Sequence, residues 1–212
     1  MKIVTAICRP LVPALHGSLM CVLPSPLLLL FGSITAQSDK DRPQPFTLSG
    51  TETLSFTSEV NAGQEYSLYV HLPQGYSTST DRYPVIYVLD GQWDFPLVTS
   101  IYGQQYYDGF IPSAIIVGIT WGGNNPKHDS LRARDLTPTH NPGIPQSGKG
   151  AVFLKTIKTE IIPLIETRYR ALSKERVLIG SSFGGLFTLY AMFREPGLFN
   201  RYAFTSPAIG WD

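Results

Sequence analysis

The segment Val177–Phe187, VLIGSSFGGLF, places Ser182 between Gly180 and Gly184 in the pattern G-x-S-x-G. The pattern follows a short apolar run typical of a buried strand and precedes an apolar stripe typical of a helix. In such a strand–turn–helix, called a nucleophile elbow, the serine backbone is strained and its hydroxyl points outward. Glycine on either side removes a Cβ atom that would collide in the turn. The segment therefore predicts a nucleophile elbow, and the simpler alternative is a Gly-Ser turn between a strand and a helix.

Short apolar runs without alternation recur along the chain and predict strands that are buried on both faces, as in a parallel sheet. They are Tyr83–Leu89, Ser113–Thr120, Arg176–Ile179 and Tyr202–Thr205. Phe46–Val60 and Glu65–Leu72 alternate instead, and the turn-forming Asn61–Gly63 between them predicts an antiparallel hairpin.

Helical periodicity appears between these strands. One apolar stripe predicts a helix over Gly150–Tyr169, bent at Pro163, and a second predicts a helix after the elbow that ends at Pro196. Leu97–Tyr107 is a weaker helix candidate. Strands that alternate with helices after an opening hairpin indicate an α/β fold, with helices on both faces of a mostly parallel sheet. A functional site is then expected at the carboxyl ends of the strands.

The composition excludes several classes of function. The chain has 212 residues, of which 43% are apolar and 16% charged, and its net charge is +1. These values predict a globular domain, and without a basic block nothing favours binding to nucleic acid or anionic lipid. The two cysteines, Cys8 and Cys21, lie in the N-terminal segment, and no His/Asp/Glu cluster has the spacing of metal ligands. We therefore expect no metal site.

The first 45 residues differ from the rest. Lys2 and Arg9 precede the apolar run Val22–Phe31, and the small residue Ala36 follows it. This order resembles a secretory signal peptide with a long basic region, and the run is too short for a membrane span. It predicts a secreted or periplasmic protein with a domain over residues 46–212. The alternative is a disordered extension on a cytoplasmic protein.

A serine nucleophile needs N–H donors for the oxyanion that forms during acyl transfer. The Phe183 amide opens the helix after the elbow and is the first candidate donor. The second donor in such sites comes from the loop after the third strand, here Asp90-Gly91-Gln92-Trp93. We take the Gln92 amide as that donor and Trp93 as a pocket wall. The alternative is an ordinary turn at a strand end.

Six segments together resemble a known family from about Glu65 onward. They are YPVIYVLDGQW, AIIVGITWGG, the loop RARDLTP (132–138), FLKTIKTEIIPLIETRYR, VLIGSSFGGLFTLYAMFREPGLF and YAFTSPAIGWD. Their order and spacing are similar to those of the putative-esterase (esterase D-like) family of α/β-hydrolases, on the side of the siderophore (enterochelin-type) esterases. The resemblance implies an α/β-hydrolase fold and hydrolysis of a small-molecule carboxylic ester through an acyl-enzyme at Ser182. It implies no cofactor, since side chains and backbone dipoles suffice for this route.

The same resemblance places Arg132, Arg134 and Asp135 near the substrate rim, where an arginine could attract an anionic substrate. The alternative for these residues is a salt bridge that stabilises the loop. Ser181 departs from the histidine that is common before the nucleophile in this family; that histidine is not the catalytic one.

The triad acid and histidine of this fold follow the serine, after the seventh and eighth strands. Here Tyr202–Thr205 corresponds to the sixth strand, and no histidine follows Ser182. The four histidines, His16, His71, His128 and His140, all come earlier, and using His128 or His140 as the base would need a different geometry. The sequence therefore predicts a partial domain without its last strands and a chain with little or no turnover. A non-catalytic remnant is the alternative, as is an acyltransferase or thioester hydrolase with the same elbow.

Overall fold

Six strands form one mixed sheet in the order β1-β2-β4-β3-β5-β6 within the part of the chain that the structure describes. The structure is a computed structural model, and it describes residue 43 and residues 45–211. The predicted leader therefore lies almost entirely outside the described residues. The strands are β1 (Thr51–Thr57), β2 (Glu65–His71), β3 (Tyr83–Val88), β4 (Ile115–Trp121), β5 (Ala171–Ser181) and β6 (Arg201–Thr205).

The hairpin β1–β2 and the pair β2–β4 are antiparallel, whereas β4, β3, β5 and β6 run parallel. This arrangement confirms the predicted mostly parallel sheet with an N-terminal antiparallel hairpin. The carboxyl ends of β3 and β5 are neighbours, because these two strands pair directly with Val88 opposite Ile179.

Helices cover both faces of the sheet. They are α1 (Gly91–Tyr107), α2 (His128–Leu136), α3 (Gly150–Thr156), α4 (Ile162–Arg168) and α5 (Phe183–Arg194), with a π-helical turn at Ile157–Ile161 between α3 and α4. On one face, Tyr87 and Leu178 of the sheet belong to the same buried cluster as Phe153 of α3 and Phe187 of α5. On the other face, Val88 and Ile116 form a smaller buried cluster with Phe95 and Tyr102 of α1. Burial of each such side chain contributes roughly 1.5–3 kcal/mol.

The helix after β3 begins six residues earlier than its sequence prediction. The sequence predicts a loop at Asp90-Gly91-Gln92-Trp93 and a helix that starts at Leu97. In the structure Asp90 adopts a left-handed conformation, with φ 52° and ψ 42°, and helix α1 starts directly at Gly91. A Cβ atom on Gly91 would lie 2.8 Å from the carbonyl carbon of Gly118, so this start needs glycine. The predicted loop position of Gln92 and Trp93 is thus the first turn of a helix.

Two further helical features differ from the predictions. His128–Leu136 was predicted to be loop and is helix α2, whose short polar sequence carries no apolar stripe. The helix predicted over Gly150–Tyr169 is divided into α3 and α4 by a π-helical turn that ends two residues before Pro163. A π-helical turn suits a proline there, because the proline lacks an N–H and its ring crowds the preceding turn.

Candidate active site

Ser182 occupies a strained bend between β5 and α5. Its φ is 54° and its ψ is −115°, a conformation that costs a non-glycine residue about 1–3 kcal/mol. Three backbone hydrogen bonds hold the bend. The Ser182 amide donates to the Thr205 carbonyl (3.1 Å), and the Ser182 carbonyl accepts from the amides of Leu186 (2.9 Å) and Ala208 (3.1 Å). The residue is exposed, so the bend presents the serine to solvent.

The glycines around Ser182 leave little or no room for a Cβ atom. A Cβ atom on Gly180 would lie 2.2 Å from the Gly184 carbonyl oxygen. A Cβ atom on Gly184 would lie 3.3 Å from Asp90 Oδ2, a close contact that also shows how near the elbow is to the end of β3. Gly185, which the sequence analysis did not single out, is similarly confined, since its Cβ atom would lie 3.0 Å from the Thr205 carbonyl oxygen.

Two helices begin side by side at this edge of the sheet. The Leu89 amide donates to the Ile179 carbonyl (2.9 Å), so the chain enters α1 beside the strand that leads into the elbow. Phe183 is the first residue of α5 and Gln92 is the second of α1. Amides at these positions have no acceptor within their own helix, and they lie at its positive end. The Gln92 side chain is fixed by Thr120, whose hydroxyl donates to Gln92 Oε1 (2.6 Å).

An ion pair joins the end of β3 to helix α2. Arg132 Nε donates to Asp90 Oδ1 (2.7 Å), and Arg132 Nη2 donates to Asp90 Oδ2 (3.0 Å). Only 3% of Asp90 and 18% of Arg132 are exposed. Burial raises the pKa of Asp90, and the hydrogen bond and positive charge of Arg132 oppose this rise. The bidentate geometry fixes the orientation of the guanidinium as well as its position.

The guanidinium of Arg132 also lies against two aromatic rings, one from each helix start. Its Cζ atom is 5.2 Å from the ring centroid of Trp93 and 5.5 Å from that of Phe183, both within the range of cation–π contacts. Trp93 is 51% exposed, and its ring also lies 5.9 Å from that of His128. Arg132 therefore connects the start of α1 to the start of α5, within one residue of Ser182.

Arg134 and Asp135 have different surroundings from Arg132. Asp135 is completely buried and accepts hydrogen bonds from Trp121 Nε1 (2.7 Å) and the Tyr66 hydroxyl (2.8 Å). Arg134 binds the same carboxylate through Nε (2.7 Å) and Nη2 (2.8 Å). These are the contacts of a stabilising ion pair. The structure thus brings Trp93 and Arg132 to the elbow, and it places Asp135 in the interior with Arg134 turned towards it.

No histidine among residues 45–211 is hydrogen-bonded to Ser182. His71 packs against Tyr102, His128 packs against both Trp93 and Trp121, and His140 Nδ1 is 3.4 Å from the Ser147 carbonyl oxygen. His16 lies outside the described residues. Within the described ranges, no group of three or more histidine, cysteine or acidic side chains is placed to hold a metal ion. None of the helices described is long and apolar enough to cross a membrane.

Comparison with known proteins identifies the class of this chain. The sequence profile of the family described as "Putative esterase" matches residues 59–210. The chain therefore belongs to the putative esterase family, as the resemblance in its sequence indicated. Its sheet and helices have the α/β-hydrolase fold, which confirms the predicted fold class.

Individual relatives support the same assignment. The chain is 32% identical to the siderophore triacetylfusarinine C esterase of Aspergillus fumigatus over 178 residues, which is 81% of this chain and 60% of that relative. The solved structure of the BES protein from Bacillus cereus has a TM-score of 0.70 at 29% identity, covering 80% of this chain and 66% of that one. The siderophore hydrolase EstB from Aspergillus nidulans also has a TM-score of 0.70, at 27% identity, and the match covers 81% of this chain and 61% of that one. The chain thus spans about 60% of the length of the Aspergillus fumigatus relative.

Proposed function

We propose that this is the site of a serine carboxylic-ester hydrolase in which Ser182 attacks the ester carbonyl. A bond forms between Ser182 Oγ and the carbonyl carbon, the alcohol leaves with a proton, and water then releases the acid from the acyl-enzyme. The observation that carries the proposal is the exposed Ser182 at φ 54° between a strand and a helix. Membership of the esterase family supports the same chemistry.

In this proposal three hydrogen-bond donors stabilise the negative charge that forms on the carbonyl oxygen. The amides of Phe183 and Gln92 come from the positive ends of α5 and α1, and the guanidinium of Arg132 lies against the Phe183 ring. The ion pair with Asp90 uses N–H groups on Nε and Nη2, which leaves the two on Nη1 and one on Nη2 for the oxyanion. Loss of one such donor typically lowers turnover by a factor of about 10²–10³.

The proposed reaction needs a base that accepts the hydroxyl proton of Ser182. Without a base the hydroxyl stays protonated, and loss of the histidine of a triad lowers turnover by a factor on the order of 10⁶. In this proposal Ser182 is the nucleophile and the donors named above bind the oxyanion, while among the described residues no histidine is hydrogen-bonded to Ser182. We therefore expect this chain to react with activated electrophiles while turning over esters very slowly.

The relatives support a proposal for the substrate class. Siderophore esterases are among the proteins that this chain resembles, so a siderophore-type ester is the proposed substrate. An export route from the leader and a secreted or periplasmic location stay predictions. An acyltransferase or thioester hydrolase would use the same elbow, and a non-catalytic remnant would retain the fold alone.

Covalent labelling tests the proposal. The full chain is treated with a fluorophosphonate and the adduct is located by peptide mass spectrometry. We expect one adduct, on Ser182, which disappears in Ser182→Ala and persists in the neighbouring control Ser181→Ala. No adduct on Ser182 would favour the non-catalytic remnant. Hydrolysis and transfer are then separated by supplying a model ester with and without a competing alcohol.

A further inference from the structure

The chain at the end of β6 contacts the strained bend at Ser182. We call residues 205–211 the β6 turn. Its first residue, Thr205, accepts a hydrogen bond from the Ser182 amide (3.1 Å), and the Ala208 amide donates one to the Ser182 carbonyl (3.1 Å). Ser206 lies between them at a φ of 42°, so it is a second strained non-glycine residue at this edge of the sheet. The β6 turn therefore binds both backbone groups of the residue proposed as the nucleophile.

The peptide unit between Ser182 and Phe183 carries the amide that is proposed to bind the oxyanion. Its carbonyl oxygen, on Ser182, accepts hydrogen bonds from the amides of Leu186 (2.9 Å) and Ala208 (3.1 Å). A trans peptide unit is planar, and its C=O and N–H groups point in opposite directions. Bonds that hold the carbonyl therefore also fix the direction of the Phe183 N–H. The bond from Leu186 belongs to helix α5, whereas the bond from Ala208 comes from the β6 turn.

Trp211, the last residue of the β6 turn, contacts the side chain of Phe183. The two ring centroids are 5.1 Å apart and the ring planes meet at 86°, which is an edge-to-face contact. The indole Nε1 of Trp211 donates to the Thr139 carbonyl (3.0 Å), in the chain that follows α2. The guanidinium of Arg132, from α2 itself, lies 5.5 Å from the centroid of the same Phe183 ring. Trp211 thus joins the β6 turn, the chain after α2 and the first residue of α5.

The Phe183 amide needs this support because Ser182 is strained. With φ 54° and ψ −115°, Ser182 would lower its energy if the peptide unit after it rotated. Phe183 is the first residue of α5, so its N–H makes no hydrogen bond within the helix that would oppose this rotation. The hydrogen bonds to the Ser182 carbonyl and the packing of the Phe183 ring do oppose it.

We infer that Trp211 is a positioning residue of the proposed site, which directs the Phe183 amide towards the oxyanion by fixing the Phe183 ring against the β6 turn. The inference rests on the proposed function of Ser182. In this role Trp211 acts through Phe183 and does not bind the ester. Its loss therefore slows the bond-forming step and leaves the binding of a reagent unchanged.

The test measures how fast a fluorophosphonate labels Ser182 over a range of reagent concentrations. In this reaction the Ser182 Oγ–phosphorus bond forms, fluoride leaves and the serine proton passes to solvent. We expect Trp211→Leu to lower the maximal labelling rate about tenfold, less than the loss of a whole oxyanion donor, and to leave the half-saturating concentration within about twofold of the wild type. Trp211→Phe keeps an aromatic ring at this position, so its maximal rate should recover towards that of the wild type.

A double-mutant cycle shows whether Trp211 acts through Phe183. Phe183→Leu keeps the amide and removes the ring, so adding Trp211→Leu to it should lower the rate by less than about twofold. Phe193→Leu is the matched control, because it removes an exposed ring from the same helix, about 15 Å along the helix axis from Phe183. This control should label at the wild-type rate.

Four results would overturn the inference and leave the Ser182 proposal intact. They are a wild-type rate in Trp211→Leu, an undiminished effect of Trp211→Leu in the Phe183→Leu background, no recovery in Trp211→Phe, and an equal fall in Phe193→Leu. A raised half-saturating concentration with an unchanged maximal rate would also overturn it, because Trp211 would then bind the reagent. Absence of labelling in the wild type would overturn both proposals. Thermal unfolding of each variant sets a labelling temperature at which all of them are folded.

Discussion

The elbow around Ser182 and the arm formed by α2 meet at one site but are held by different forces. Backbone contacts hold the elbow, where a Cβ atom on Gly180 would come within 2.2 Å of a carbonyl oxygen. The arm buries Leu136 in the core and carries two ion pairs, Arg132–Asp90 and Arg134–Asp135. The steric contact between Gly180 and Gly184 joins residues only four positions apart. The ion pairs join residues that are up to 42 positions apart. The comparison predicts that substitutions in the elbow and in the arm affect stability and labelling in different ways.

The largest expected effect is on the elbow. Gly180→Ala introduces a Cβ atom against the Gly184 backbone, which cannot move without displacing both β5 and α5. We expect a loss of about 4 kcal/mol or more in the free energy of unfolding, measured by urea denaturation. Gly197→Ala is the control, because a Cβ atom there meets nothing within 4 Å. Equal stability of the two variants would contradict steric control of the elbow.

A substitution in the arm should destabilise the protein by leaving the buried charge of Asp90 unpaired. Arg132→Met removes the partner of the buried Asp90, and we expect a loss of about 3 kcal/mol in the free energy of unfolding, together with a fall in Ser182 labelling of about 10²-fold. Adding Asp90→Asn should restore much of the stability and little of the labelling. If the double variant recovered labelling as well, Arg132 would act only as a structural residue.

Trp93 connects the two regions only through its ring. Trp93→Ala removes a half-exposed side chain and one of the two rings against Arg132. We expect a loss of at most about 1 kcal/mol in stability, because the Asp90 pair still holds the guanidinium. Labelling should fall a few-fold, and Trp93→Phe should recover part of it. A loss of stability as large as that of Arg132→Met would show that Trp93 holds the arm.

The smallest effect concerns pH. Because the pKa of Asp94 is raised above its ordinary value of 3.8, the folded state binds the proton more tightly than the unfolded state. The contribution of this group to stability is therefore full below that ordinary value and declines as the pH rises through the folded-state pKa. Asp94→Asn should gain melting temperature relative to the wild type between acidic and neutral pH. Parallel curves for wild type and Asp94→Asn would contradict the raised pKa, which is caused by burial and then by the charge of Asp90.

The same contrast explains how much could be predicted from the sequence. The strands and the strand–turn–helix at Ser182 were predictable, because continuous apolar runs and the spacing of Gly180 and Gly184 are local patterns. Helix α2 was missed because its residues bury charged groups in ion pairs and show no apolar stripe. The start of α1 was missed because Asp90 adopts a left-handed conformation that its sequence does not require.

The pairing of Asp90 with Arg132 has no sequence pattern either, since it depends on how β3 and α2 pack. One available indication was an aspartate directly after a buried strand, where an isolated charge needs a partner. The sequence placed Arg132, Arg134 and Asp135 together as rim candidates. The structure gives them different surroundings, because Asp135 is completely buried and the Arg132 guanidinium packs against Phe183 in the elbow.

A crystal structure of the full chain after reaction with a fluorophosphonate tests the central claim most directly. The account predicts phosphorus bonded to Ser182 Oγ, with its oxygen about 2.7–3.1 Å from the Phe183 amide and from at least one of the Gln92 amide and the Arg132 guanidinium. A phosphoryl oxygen directed into solvent, or phosphorus on any residue other than Ser182, would contradict it.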